Sequence, residues 1–370
     1  MSPIEPARSS DAVLPFSEAS LLALLGDDFS HARISGATPL AQRSRNRLLR
    51  LSLDNAPCDR LILKLVRRAN DPFWDHHVRR EHRVLELLDR FWPGGAPRPF
   101  AAVFGGGWGF LLTEDVGGAS LAEALEMTGA STDEHGGAVI TPSAVAAPLG
   151  HSLDRLADLH ASLRGNRLPF YRTCYCVDLD RISENSLRSR LRVARSRLLG
   201  ALAAEEQAAR APYRAAERAY VAGVVQPLLR GPRQMIHNSL SPLNVVLGTA
   251  PRFVDWETMT LAAAELDIAE LLRFPGAGLS WPQTDDCVRT AFGDQIDPGR
   301  LRAAALARAV DYAAANAKAR DAAIEARDRA MEASCRSRRD WYLAELREVA
   351  EELQLGSALE VLIGREAPGD

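Results

Sequence analysis

The 370-residue chain carries little that would tie it to metal–sulfur chemistry, a membrane or nucleic acid. Its five cysteines, Cys58, Cys174, Cys176, Cys287 and Cys335, are scattered. No pair has the C-x-x-C spacing, which argues against a zinc site or a redox motif. Cys174 and Cys176 form a C-x-C, which reads as incidental, and so few cysteines in so long a chain suit a reducing compartment. No apolar run reaches the roughly 18 residues that a membrane span needs. The first residues, MSPIEPARSSDAVLPF, lack the apolar core of a secretory signal, so a cytoplasmic protein with no membrane partner is expected. A net charge of −3 gives no overall attraction to nucleic acid. There is no internal repeat and no G-x-G-x-x-G loop.

What is present is ordinary globular composition, 46% hydrophobic and 25% charged. The length suits two domains or lobes. Residues 1–16 read as a loose tail. SEASLLALLG (17–26) predicts a short helix with Ser17 as N-cap. RLLRLSL (47–53) and RLILKLV (60–66) read as strands joined by the turn-like DNAPCD. In 75–91, Val78, Val84, Leu85 and Leu88 share one helical face. PFAAVFGGGWGFLLTEDV (99–116) predicts a hairpin turning on Gly-Gly-Gly. Residues 126–148, rich in Gly, Thr, Ser and Pro, suggest an inserted loop. Beyond them the text is mainly helical, over 151–163, 181–224 and 300–354, broken by strand–loop–strand text at 235–258. This predicts an α+β chain: a β-rich lobe over 17–116, then an α-rich lobe over 117–370. The junction falls near Glu114–Gly118, and ligands favour clefts between domains.

Chemistry concentrates in His237-Asn238-Ser239-Leu240-Ser241-Pro242-Leu243-Asn244 and the following Phe253-Val254-Asp255-Trp256-Glu257. A polar loop between apolar strands displays Asn244, and a strand end displays Asp255. An amide oxygen and a carboxylate form a hard-oxygen pair suited to Mg²⁺. Lys64 lies inside an apolar strand, where a lysine either snorkels at an edge or meets anions.

These segments resemble the aminoglycoside phosphotransferase and choline-kinase-like family, with its H-G-D-x-H-x-x-N loop and I-D-W/F-E strand end. His237, Pro242, Asn244, Asp255, Trp256 and Glu257 match in order, and Asp267 in AELDIAELL matches a structural aspartate that follows. The resemblance implies a bilobal protein-kinase-like fold binding ATP and Mg²⁺. It implies that Lys64 contacts the phosphates and pairs with a helix glutamate. Glu81 is preferred for that role over Glu86 because it fits the family's helix pattern better. GFLLTEDVGG resembles the family's hinge, whose backbone near Glu114 and Val116 would bond the adenine edge. Asn244 and Asp255 would hold the metal. ISGATPLAQRSRNR (34–47) would be the phosphate-covering loop, with Gly36 its one glycine and Ser35, Thr38 or backbone amides within reach of phosphate. Arg43, Arg45 and Arg47 read rather as a solvated strand face. HSLDRLADLHASL resembles the family's central helix, with His160 packed rather than catalytic.

The departure is at the base. The family's catalytic aspartate is Ser239 here, its second histidine is Ser241 and its glycine is Asn238. No carboxylate lies between Met235 and Gly248. Serine cannot act as a base near neutral pH without a partner, but phosphoryl transfer depends mostly on positioning and electrostatics. The first expectation is therefore an ATP-binding pseudokinase. The alternatives are a kinase whose base comes from Glu257, Asp178, Asp180 or the substrate, a site turned to nucleotidyl transfer, and a non-catalytic interaction protein with an empty cleft. The partner would be an unidentified hydroxyl acceptor or a protein, with the acceptor region at about 165–230. There Arg188, Arg192 and Arg195 share a helical face. They could take an anionic ligand, but a solvated face balanced by Glu184, Glu205 and Glu206 is the plainer reading. So basic a segment points away from a cationic aminoglycoside acceptor.

Overall fold

In the computed structural model, residues 17–42, 46–67, 74–105, 108–128, 142–175, 183–199 and 210–363 are described. Ser17 caps helix α1 (Glu18–Leu22), its side chain accepting from the Ser20 amide. Five strands follow, interrupted by one helix: β1 (Arg33–Gln42), β2 (Asn46–Asp54), β3 (Arg60–Arg67), α2 (Trp74–Phe91), β4 (Pro99–Gly105) and β5 (Trp108–Glu114). They form one antiparallel sheet in the order β1-β2-β3-β5-β4. Alternation sets its faces. Leu49, Leu51 and Leu53 of β2 and Leu61, Leu63 and Leu65 of β3 pack with Leu21, Phe29, Phe110 and Leu112 in one apolar cluster. Lys64, out of phase with them, stands on the opposite face.

Helix α2 bears out the sequence pattern: Val78, Val84, Leu85 and Leu88 are all buried. The predicted hairpin is β4 and β5, with Gly105 opposite Trp108; its tip, 106–107, lies outside the described residues. The reading of 34–47 as a loop is corrected. Residues Arg33–Gln42 are strand, with irregularities between Ile34 and Gly36 and between Pro39 and Ala41. Gly36 sits opposite Ser52, and a side chain at Gly36 would meet nothing closer than 3.8 Å. Positions 43–45 lie outside the described residues.

A short strand β6 (Ala119–Ser120) and helix α3 (Leu121–Thr128) lead to 129–141, which are not described. Helix α4 then runs Pro142–Tyr175 with a break at Asn166. An inserted loop was expected to reach 148, but helix begins at Pro142. Proline is well tolerated in a first turn, where its missing N–H has no intrahelical partner to lose. The expected 181–224 helix divides into α5 (Glu184–Leu199) and α6 (Arg210–Tyr220), with 200–209 not described. A π-helical turn at Val221–Val225 then leads into α7 (Gln226–Arg230). Four short strands follow, β7 (Gln234–Ile236), β8 (Val245–Leu247), β9 (Pro251–Phe253) and β10 (Thr260–Ala262). Helices α8 (Glu265–Leu272), α9 (Trp281–Phe292), α10 (Pro298–Glu325), α11 (Arg329–Glu352) and α12 (Gly356–Ile363) complete the chain. Among the described residues no helix is long and apolar enough to cross a membrane.

The chain divides into two compact units. The first comprises Met1–Ala119, Leu168–Val177 and Val246–Thr258; the second comprises Ser120–Arg167, Asp178–Val245 and Met259–Asp370. The segment bearing Asp255 thus belongs with the β-rich unit, and the segment bearing Ser239 with the helical one.

Candidate functional site

In the first unit, Lys64 is the centre of a charged cluster. Its ammonium donates to Glu81 Oε2 at 2.7 Å, Asp255 Oδ1 at 2.6 Å and Glu257 Oε2 at 3.0 Å. The sheet supplies the lysine and helix α2 supplies Glu81. Asp255 and Glu257 are delivered by the turn after β9, which is clamped to the end of α2. The Phe253 amide donates to the Gly95 carbonyl at 2.9 Å. The Trp92 ring packs against Phe253 and Trp256, and the fully buried Trp256 donates to the Phe253 carbonyl. Asp255 itself has φ 67°, a left-handed conformation that non-glycine residues seldom adopt.

Three carboxylates surround one ammonium, so negative charge is in excess. Burial alone would lower the Lys64 pKa, but Glu81, Asp255 and Glu257 outweigh it and hold it well above its usual value. Glu81 is pushed up to about 7, first by burial and then by Asp255 and Glu257, against the pull of Lys64. One oxygen each from Glu81, Asp255 and Glu257 lie within 4.8 Å of one another. Hard oxygens with surplus negative charge fit Mg²⁺. Glu257, a candidate base by sequence, is engaged with Lys64. The other candidates, Asp178 and Asp180, lie outside the described residues. Glu86 instead approaches His82 Nδ1 at 3.8 Å.

The hinge segment holds a bonded group that sequence reasoning passed over. Asp115 accepts from Arg50 Nε at 2.6 Å and from the Gly117 amide at 3.1 Å, and it lies 3.6 Å from Arg60. The Glu114 carboxylate accepts from Arg252 Nη1 at 2.6 Å and the Arg98 amide at 3.2 Å. Val116 is half-buried between Asp115 and Gly117. Gly118 has φ 89°, and a side chain there would strike the Leu247 carbonyl.

In the second unit, the loop bearing Ser239 is fixed by its backbone. Asp267, fully buried on α8, accepts from the His237 amide at 2.7 Å and the Asn238 amide at 2.8 Å. His160 Nε2 lies 3.7 Å from the same carboxylate. Burial alone would raise the Asp267 pKa. His160 and His237 close by and the Asn238 amide prevail and hold it below its usual value. The side-chain amide of Asn244 donates to the Ser239 carbonyl at 2.8 Å. The loop leaves Ser239 half-buried and Leu243 exposed.

The arginines of α5 are occupied. Arg188 pairs with Glu184 at 2.6 Å, Arg192 with Glu217 at 2.9 Å, and Arg195 lies over the Tyr213 ring. This is the balanced face, with Glu217 as a partner the sequence did not suggest. Glu205 and Glu206 lie outside the described residues.

A family model described as phosphotransferase enzyme family matches residues 36–309, most of the chain and both loops. The chain belongs to that family. It has the family's kinase-like α+β fold, a β-rich N-terminal sheet followed by a helical part. No curated protein sequence matches it. Among solved structures, a thermostable mutant of aminoglycoside phosphotransferase APH(4)-Ia in apo form shares 14% identity at a TM-score of 0.42. The alignment covers 90% of this chain and 99% of that one. The mutant's ternary complex with ADP and hygromycin B shares 13% at 0.41, covering 89% and 98%. An aminoglycoside-3'-phosphotransferase of type VIII shares 16% at 0.44, covering 74% and 93%. At such scores the family match, not these structures, carries the assignment.

Proposed function

We propose that this phosphotransferase-family protein binds ATP with Mg²⁺ and acts as a pseudokinase or a slow, atypical phosphotransferase, because its acceptor-side base is missing. The observation that carries the reading is the buried ammonium of Lys64 among Glu81, Asp255 and Glu257. Burying an ammonium and a carboxylate beside two more part-buried carboxylates is expensive, and such clusters gather at functional sites. Glu81 would hold Lys64 in place while the ammonium turns to the phosphates. Asp255 would hold the metal in the first unit, with Glu257 beside it; Asn244, the other residue the family resemblance gives to the metal, lies in the second unit. Mg²⁺, when bound, would neutralise charge on the phosphates. The hinge backbone near Glu114 and Val116 would meet the adenine edge, and backbone amides around Gly36 would lie toward the phosphates.

Ser239, at the base position, can accept and donate a hydrogen bond to an acceptor hydroxyl but cannot take its proton near neutral pH. His237 contributes through its backbone amide, which fixes the loop to Asp267. With Glu257 bonded to Lys64, no described carboxylate is favoured as a replacement base. Any acceptor would be a hydroxyl of a small molecule, natural product or peptide.

The test is a thermal-shift titration with ATP, with and without Mg²⁺. Wild-type protein is expected to gain stability, more with the metal, and Lys64→Ala and Asp255→Ala to lose the gain. A wild-type protein indifferent to ATP would end the reading and leave a non-catalytic interaction protein.

A further inference from the structure

The position where the resembling family carries glycine is Asn238, and its surroundings are built for the asparagine. Asn238 has φ 66°, a left-handed conformation that glycine adopts freely and asparagine tolerates better than most residues. Its side chain is buried. Arg308 Nη2, from helix α10, donates to Asn238 Oδ1 at 3.1 Å. Arg308 is itself buried and lies 3.2 Å from Glu270 Oε2 of α8, and Tyr312, one turn further along α10, donates its hydroxyl to Glu270. The Tyr312 ring stacks on Tyr342 of α11, centroids 5.1 Å apart. A glycine could keep the turn but would remove the only side-chain oxygen this position offers Arg308.

We infer that Asn238 is a positioning residue whose side chain latches the Ser239 loop to Arg308. The loop then has three kinds of anchor. Asp267 takes the amides of residues 237 and 238, Asn244 takes the Ser239 carbonyl, and Arg308 takes the Asn238 side chain. The first two act on the backbone. The third depends on a residue that the family's motif does not have, and its donor is 70 positions away in the chain. Glycine-to-asparagine at this position is thus a compensated change that stiffens the loop rather than a sign of its decay. This deepens the proposed function, since it makes the loop a maintained binding element, but the latch itself does not depend on nucleotide.

The experiment is amide hydrogen exchange over 237–244 in the full-length protein without nucleotide. Asn238→Gly keeps the left-handed turn and leaves the Arg308–Glu270 pair in place. It is expected to speed exchange of the 237–241 amides about tenfold, the scale of one charge-assisted hydrogen bond. Asn238→Asp keeps an acceptor oxygen in the same place and is expected to retain wild-type protection. Arg308→Met also removes the Glu270 pair, so it should speed exchange at least as much as Asn238→Gly, and the double variant should be no faster than Arg308→Met alone, because the contact between the two residues is already gone. Unchanged exchange in Asn238→Gly, additive effects in the double variant, or an Asn238→Asp loop as fast as the glycine one would each overturn the latch. Should Arg308→Met fail to fold, the two Asn238 variants decide alone. A protein that ignores ATP but shows these exchange effects would lose its proposed function and keep the latch.

Discussion

Two charged regions of this protein are built on opposite plans. Around Lys64 the functional groups themselves are charged and bonded to one another, with three carboxylates on one ammonium. Around Ser239 the residue proposed to face the acceptor is neutral, and the charged groups hold the loop's backbone and the Asn238 side chain. Asp267 receives two amides, and Arg308 reaches Asn238. In the first region chemistry and architecture are the same atoms. In the second, the scaffold survives a change of the residue it presents. Substitutions should therefore be ruinous in the first region, ruinous behind the loop, and mild or even constructive at Ser239.

The largest effect is expected at Lys64. Lys64→Ala leaves Glu81, Asp255 and Glu257 facing one another in a buried space, and removing one partner of a buried ion pair costs about 3–5 kcal/mol. Chemical denaturation should show that loss together with the disappearance of any ATP-dependent stabilisation. A variant as stable as wild type would break the contrast at its root.

Gain is the next expectation. Ser239→Asp restores a carboxylate to a loop whose anchors are intact. A positioned base contributes typically about 10²–10⁴-fold, so ATP turnover, read by a sensitive phosphate-release assay, should rise by about that factor. Nucleotide affinity should stay within about threefold of wild type, because the base takes little part in ground-state binding. Turnover that stays flat while ATP still binds would show that the defect extends beyond proton transfer.

Asp267 separates the two plans by pH. Its pKa is lower folded than unfolded, so it contributes stability above the unfolded value near 3.8 and loses it as pH falls through the folded value. Asp267→Asn should cost about 2–4 kcal/mol near neutrality, the scale of a buried carboxylate that accepts two amides. The gap to wild type should stay constant down to about pH 4 and close below it. A gap that widens under acid would contradict the direction of the shift.

How much of this was legible beforehand follows from the range of each interaction. The stripe of Val78, Val84, Leu85 and Leu88 is a local periodicity, and it gave helix α2 nearly to its ends. Lys64 stood out as a lysine inside the apolar run LILKLV. The order of His237, Asn244 and Asp255 pointed to the right family. Local composition misled where prolines begin helices, as at Pro142, and where a glycine sits in a strand, as Gly36 does. Pairings across long stretches of chain were invisible. Nothing near Lys64 announces Glu257, nothing near Arg50 announces Asp115, and nothing near Asn238 announces Arg308. Each is made by tertiary packing between positions far apart in the chain, even where, as with Lys64 and Glu257, both positions stood out singly.

The smallest effect is expected on α5, and it guards the comparison against the view that any cluster of cations is a site. Arg188, Arg192 and Arg195 share a helical face, yet two pair with glutamates and the third covers a tyrosine ring. Arg192 is more than half exposed, so water and salt screen its bond to Glu217, and exposed pairs of this kind contribute less than about 1 kcal/mol. Arg192→Ala should therefore shift the denaturation midpoint slightly and leave nucleotide binding untouched. The residual shift should shrink further in high salt, where screening weakens the pair. A tenfold loss of ATP affinity in Arg192→Ala would mean that the α5 cations work on the ligand and that a bonded arginine can be as functional as the bonded lysine at residue 64.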